Sequence, residues 1–130
     1  MIWLAMFAPI ELAPAPAPPV ATTIAAIRSD PQKFNGRTVR LQGWVNSCRS
    51  LSCAIDERPA SDPEGAGEHL SIATDAKFDQ TIQPLLPTYV EFDARFDSGC
   101  VVQVCLDRAP DLTVVSLRSV VSTEPPPFEN

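Results

Sequence analysis

Histidine is almost absent from this chain: His69 is the only one in 130 residues. A Ser-His-Asp or Cys-His arrangement therefore has one imidazole at most, and His69 stands at the start of a predicted strand, facing solvent. Positive charge is also scarce, with 10 Lys and Arg against 16 Asp and Glu and a formal net charge of −6. The basic residues are dispersed from Arg28 to Arg118 and none of the chain reads as a basic arm, so nucleic acid is not an expected partner. An apolar run of the roughly 20 residues needed to cross a bilayer is missing. There is no C-x-x-C, which removes the usual thiol–disulfide exchange motif. The acids Asp56, Glu57, Asp62, Glu64 and Glu68 share one loop without EF-hand spacing, and read as a solvated acidic loop. No catalytic residue, cofactor or metal is expected, and the chain is not read as an enzyme.

Proline and apolar residues are plentiful and divide the chain. Residues 1–12, opening with "MIWLAMFA", form an apolar leader, too short to span a membrane and similar to the h-region of a signal peptide. No Lys or Arg precedes it, and no cysteine lies near it to carry a lipid. Residues 13–21 contain "APAPAPP", an extended Pro-rich linker with no capacity for helix or ladder. Residues 22–122 form the folded domain, and residues 123–130 a Pro-rich tail. This organisation implies a periplasmic or secreted protein, with no membrane span once the leader is removed.

Within the domain, Thr22 or Thr23 can cap a short helix carrying Ile24 and Ile27 on one face. Asp30, Pro31 and Gly36 then punctuate a second helical turn around Phe34. "RTVRLQGWVN" alternates, with Val39, Leu41, Gly43 and Val45 on one face and Thr38, Arg40, Gln42 and Trp44 on the other. The mid-strand glycine implies a bend or bulge. Further strands begin near Cys53 and Ala54 and at "HLSIAT". A helix behind Asp75 follows, presenting Phe78, Ile82 and Leu85. "TYVEFDARF", with Val90, Phe92, Ala94 and Phe96 inward, and "LTVVSLRSVV" complete the set.

The expected fold is mainly β: a five-stranded OB-like Greek-key barrel with a helix between strands 3 and 4 and a short N-terminal helical segment. "TIAAIRSDPQKFNGRTVRLQGWV" resembles the start of small bacterial OB-fold domains, in which a short helix, an Asp-Pro, an aromatic and a Gly lead into a V-x-L-x-G-x-V strand. The resemblance covers residues 22–121 and carries no catalytic motif. It implies binding of oligonucleotides, oligosaccharides or proteins, and a link of exported members to envelope stress. The acidity of this chain departs from the nucleic-acid binders.

The four cysteines come as "CRSLSC" and "CVVQVC", which bracket the loop between strands 1 and 2 and lie in the loop between strands 4 and 5. In an OB-fold both loops flank one binding face, so all four thiols could gather at one end of the barrel. Three connectivities are open. Local pairs, Cys48 with Cys53 and Cys100 with Cys105, are favoured, each contributing roughly 2 kcal/mol by loop-closure entropy and mainly stiffening its loop. The competing use is a zinc site of all four thiolates in a cytosolic adaptor.

Trp44 falls beside Arg40 and Gln42, an aromatic next to a guanidinium on an outer strand face, as stacking recognition of a base or a sugar requires. The alternative is that Trp44 is covered by the N-terminal segment. Asp107 and Arg108 could rim the same face. Arg40, Trp44, Arg49 and Arg108 are the hypothetical contact set of a non-catalytic, monomeric binding or structural module of the bacterial envelope. Its ligand or partner protein is not named by the sequence, and a single-stranded nucleic-acid-binding OB domain is the remaining alternative.

Overall fold

The structure is a computed structural model that describes residues 17–49, 51–102 and 110–121. The leader, the tail, Cys105 and Arg108 lie outside the described residues. The first strand, β1 (Val20–Ala21), sits inside the stretch expected to be linker. It pairs in parallel with the next strand, Val20 opposite Val39, and Thr22 N donates to Arg40 O at 3.1 Å. Pro-free residues at the end of the linker thus regain ladder bonds that the prolines before them cannot make.

Helix α1 (Ile24–Ser29) is capped by Thr23, whose Oγ1 accepts from Ala26 N at 3.0 Å. Helix α2 (Pro31–Phe34) begins on Pro31, and Gly36 takes φ +74° just beyond it. Asp30 stands at its N-cap, but its side chain makes no capping bond. Then follow β2 (Thr38–Val45), β3 (Cys48–Arg49), β4 (Ser52–Asp56) and β5 (His69–Ala73). Helix α3 (Ala76–Ile82) is capped by Asp75 at Phe78 N. Pro84 ends it in a 3-10 turn, so Leu85 is 37% exposed instead of continuing the apolar face. Strand β6 (Thr88–Phe96), a short α4 (Gly99–Val102) and β7 (Leu112–Val121) complete the described elements.

The sheet order is β1-β2-β6-β7-β5-β4-β3, and a β2–β4 pairing, Trp44 opposite Asp56, closes β2, β6, β7, β5 and β4 into a barrel of five strands. Strands β5 and β7 run parallel, and the other barrel pairings are antiparallel. Alternation fills the interior with Val39, Leu41, Val45, Ile55, Leu70, Ile72, Val90, Phe92, Phe96 and Leu112, all at most 1% exposed. Helix α3 seals the barrel, with Phe78 set edge-to-face on Phe92 at 6.1 Å. Among the described residues no helix is long and apolar enough to cross a membrane.

Gly43 has a cause more specific than a bend. A Cβ there would stand 2.7 Å from Ile55 Cγ1 and 2.9 Å from Asp56 O. The glycine is where β4 crosses β2 to close the barrel, and only hydrogen leaves room for it.

Candidate functional site

Antiparallel register sets the outer face of β2 against that of β6: Arg40 faces Asp93, Gln42 faces Glu91 and Trp44 faces Tyr89. Strand β7 joins them through two register shifts. Glu91 pairs with Ser119 and Phe92 with Leu117, which leaves Arg118 as the extra residue of a β-bulge. The bulge turns the Arg118 guanidinium onto the same face.

The side chains there bond to one another. Arg40 Nε and Nη2 donate to the two Asp93 oxygens at 2.9 and 3.2 Å, a bidentate pair, and Asp93 is only 7% exposed. Arg118 Nε donates to Glu91 Oε1 at 3.0 Å, and its Nη1 lies 3.9 Å from Asp93 Oδ2. Gln42 donates to the other Glu91 oxygen and accepts from Tyr89 Oη at 3.1 Å. The bonds from Gln42 and Arg118 hold the Glu91 carboxyl below its ordinary range, so it is ionised. Hydrogen bonding to Asp93 raises Arg40 further. Burial, and then the Glu91 charge, push Tyr89 upward and keep its phenol protonated. Two guanidinium groups thus meet two carboxylates, while Arg95, exposed at the end of the same face of β6, adds one further positive charge outside this network.

Trp44 is 7% exposed and meets Tyr89 edge-on at 5.7 Å. It is a packed residue whose ring face is not offered to a ligand. The aromatic that borders open space is Tyr89, which lines a cleft of about 320 Å³ with Ala21, Thr22, Thr23, Arg40, Gln42 and Glu91. Strand β1 makes the wall of this cleft, which is why the linker's last residues matter to it. Tyr89, Gln42 and Glu91 were not among the sequence candidates. The signal for Glu91 was present, since alternation puts it outward on β6, but its neighbours depend on register.

The two cysteine loops do not share one end of the barrel. Val45 pairs with Thr88, whereas Thr38 pairs with Arg95, so β2 and β6 run opposite ways. Cys48 follows β2 at one end; Cys100 follows β6 at the other, where Ser98 N donates to Asn35 Oδ1. Seven steps along β2 separate these ends by roughly 20 Å. That separation rules out one tetrathiolate site that includes Cys48, Cys53 and Cys100. Cys48 and Cys53 sit directly opposite each other in a β3/β4 hairpin and are joined, with Sγ–Sγ 2.07 Å. The expected second strand therefore starts at Ser52, and the expected loop is itself a hairpin. Cys100 is also disulfide-bonded, while its expected partner Cys105 lies outside the described residues. Arg49 is exposed on the hairpin, away from the Arg40 pair, and Arg108 lies outside the described residues. The structure brings Arg40 and Trp44 onto one face and leaves Arg49 apart.

In the acidic loop the carboxylates of Asp56, Glu57, Asp62 and Glu68 are individually engaged. Asp56 accepts from Asn46 Nδ2 at 2.7 Å, Glu57 accepts from Glu68 N, and Glu68 pairs with Arg28. His69 is exposed, as its position suggested.

No family model and no curated protein sequence matches the chain. A solved structure described as a candidate aspartyl-tRNA synthetase from Leishmania major Friedlin is similar at 13% identity, with a TM-score of 0.43. The match covers 89% of this chain and 23% of that one, so the chain spans less than a quarter of that protein's length. A likeness of this degree carries no argument about activity.

Proposed function

We propose that this protein is a non-catalytic binding module of the bacterial envelope, exported to the periplasm or beyond and built on an OB-like Greek-key barrel. The strand order supports the OB reading: numbered along the barrel it runs 1-4-5-3-2-1, with strands 3 and 5 parallel and α3 between strands 3 and 4. The bonded cysteines support an oxidising compartment.

One observation carries the binding reading, the polar cleft of about 320 Å³ whose two charged lining residues, Arg40 and Glu91, balance. The usual OB surface on strands 2 and 3 carries small groups over most of its length here, Ser52 and Ala54 on β4 and Ser71 and Ala73 on β5, with Asp56 and His69 only at one end, so we place recognition instead on β2 and β6. A cleft with hydroxyl, amide and carboxylate groups, a phenol edge and its one guanidinium, Arg40, already paired with Asp93 suits a neutral polyhydroxy ligand better than a polyanion. An oligosaccharide is the ligand class we assign.

The test is titration of the full chain with neutral oligosaccharides of glucose and of N-acetylglucosamine, read by tryptophan fluorescence through the Trp44–Tyr89 contact. Saturable change that is insensitive to salt and lost in Gln42→Ala supports the reading. A flat response, or binding of a single-stranded oligonucleotide that falls steeply with salt, overturns it.

A further inference from the structure

The β3/β4 hairpin rests against α3. There the Sγ atoms of Cys48 and Cys53 and a carboxylate oxygen of Asp79 all lie within 4.8 Å of one another. Cys53 is buried and the other two are half-buried. The helix cap is Asp75, so Asp79 is not needed for that. Asp79 meets Gln83 Nε2 at 3.3 Å and forms no ion pair among the described residues. Its place in the first turn of α3 favours a negative charge, but any outward rotamer would supply that. A carboxylate set against two sulfurs without a cation is what a metal site looks like when its thiols are oxidised.

The geometry points to a redox-gated metal site: with the Cys48–Cys53 bridge reduced, both thiolates and Asp79 hold a thiophilic divalent cation such as Zn²⁺, with a fourth position open. A dithiol reductant delivers two electrons and two protons to the bridge, becomes a disulfide itself, and leaves two thiols. The cation then releases both thiol protons to solvent and binds two thiolates and the ionised carboxylate. Zinc at about 2.3 Å from sulfur and about 2.1 Å from oxygen spaces its donors by roughly 3.5 Å. That spacing lies within the present separation once the sulfurs part. The two states differ mechanically, because the bridge ties the hairpin to itself, whereas the metal ties the hairpin to α3. Cys100 lies at the opposite end of the barrel and takes no part.

The experiment uses Co²⁺ as the probe, added without oxygen to the full chain carrying Cys100→Ser and Cys105→Ser after reduction by a phosphine. The expected result is one equivalent bound with thiolate-to-cobalt absorption in the near ultraviolet, displaced by Zn²⁺ and absent from the oxidised protein. Asp79→Asn weakens binding by at least about tenfold, and Asp79→Glu restores part of it. Absence of the band in reduced protein with native circular dichroism, or equal affinity in Asp79→Asn, overturns the site. Should the serine variant fail to fold, the unsubstituted reduced chain is compared with its Asp79→Asn form. Identical cobalt titrations there overturn the site as well.

Discussion

At the scale of single residues, the tightest constraint falls on Gly43. The backbone of β4 passes so close that an added methyl group meets both the Ile55 side chain and the Asp56 carbonyl. Ile55 could shift its chain end, but Asp56 O belongs to the strand that closes the barrel and cannot move alone. Gly43→Ala is expected to lower unfolding free energy by about 1–3 kcal/mol, the usual cost of forcing extra volume into a packed contact. Urea denaturation measures it, and an unchanged midpoint would show that β4 has slack at the seam. The sequence marked Gly43 as special, because a glycine interrupts an otherwise regular alternation. It could not say what approached the glycine, since the partner lies on another strand at a register that no local pattern specifies. Trp44 is similar: alternation put it on the outer face, while the edge-on contact with Tyr89 that covers it depends on the β2–β6 pairing.

At the scale of elements, the legible features were those with a period. The inward sets on β2, β5 and β6 and the Asp75 cap of α3 follow from spacing alone, and the structure places them so. The relative placing of the two cysteine loops was not legible. It turns on whether the chain crosses the barrel between β5 and β6, and α3 instead leaves and returns at one end, beside the Cys48 hairpin. The outer face of β2, β6 and β7 is also a property of paired elements, and its pH response follows from Glu91. Hydrogen bonds from Gln42 and Arg118 lower the folded carboxyl below its ordinary 4.5. A depressed folded value means the unfolded chain takes up protons first. The stabilisation is therefore present above pH 4.5 and lost as pH falls through the folded value. Glu91→Gln removes that dependence, so its stability declines less steeply than that of the parent protein below pH 4.5. Parallel acid slopes in thermal melts of the two proteins would show that Glu91 is not held by this network.

At the scale of the whole molecule, the barrel closes through a narrow seam. Strands β2 and β6 pair along eight positions, from Thr38–Arg95 to Val45–Thr88, whereas β2 and β4 meet at one, Trp44 opposite Asp56. What holds the seam beyond that pair is Asn46, just past the end of β2. Its Nδ2 donates to Asp56 Oδ2 at 2.7 Å and to Arg58 O at 3.2 Å, and its Oδ1 accepts from Ala60 N at 2.8 Å. One amide therefore fastens the end of β2 to the end of β4 and to the acidic loop after it, using its donors and its acceptor at once. Loss of that side chain leaves the half-buried Asp56 carboxylate without this donor and the loop without its anchor. Asn46→Ala is expected to cost about 2 kcal/mol, since several linked bonds go together. More telling is where protection is lost. Amide exchange should quicken at Trp44, Asp56 and through residues 57–68, while the long β6–β7 ladder keeps its protection. Exchange that quickens evenly over all strands would instead mean that the barrel opens as one unit, with no weak seam between β2 and β4.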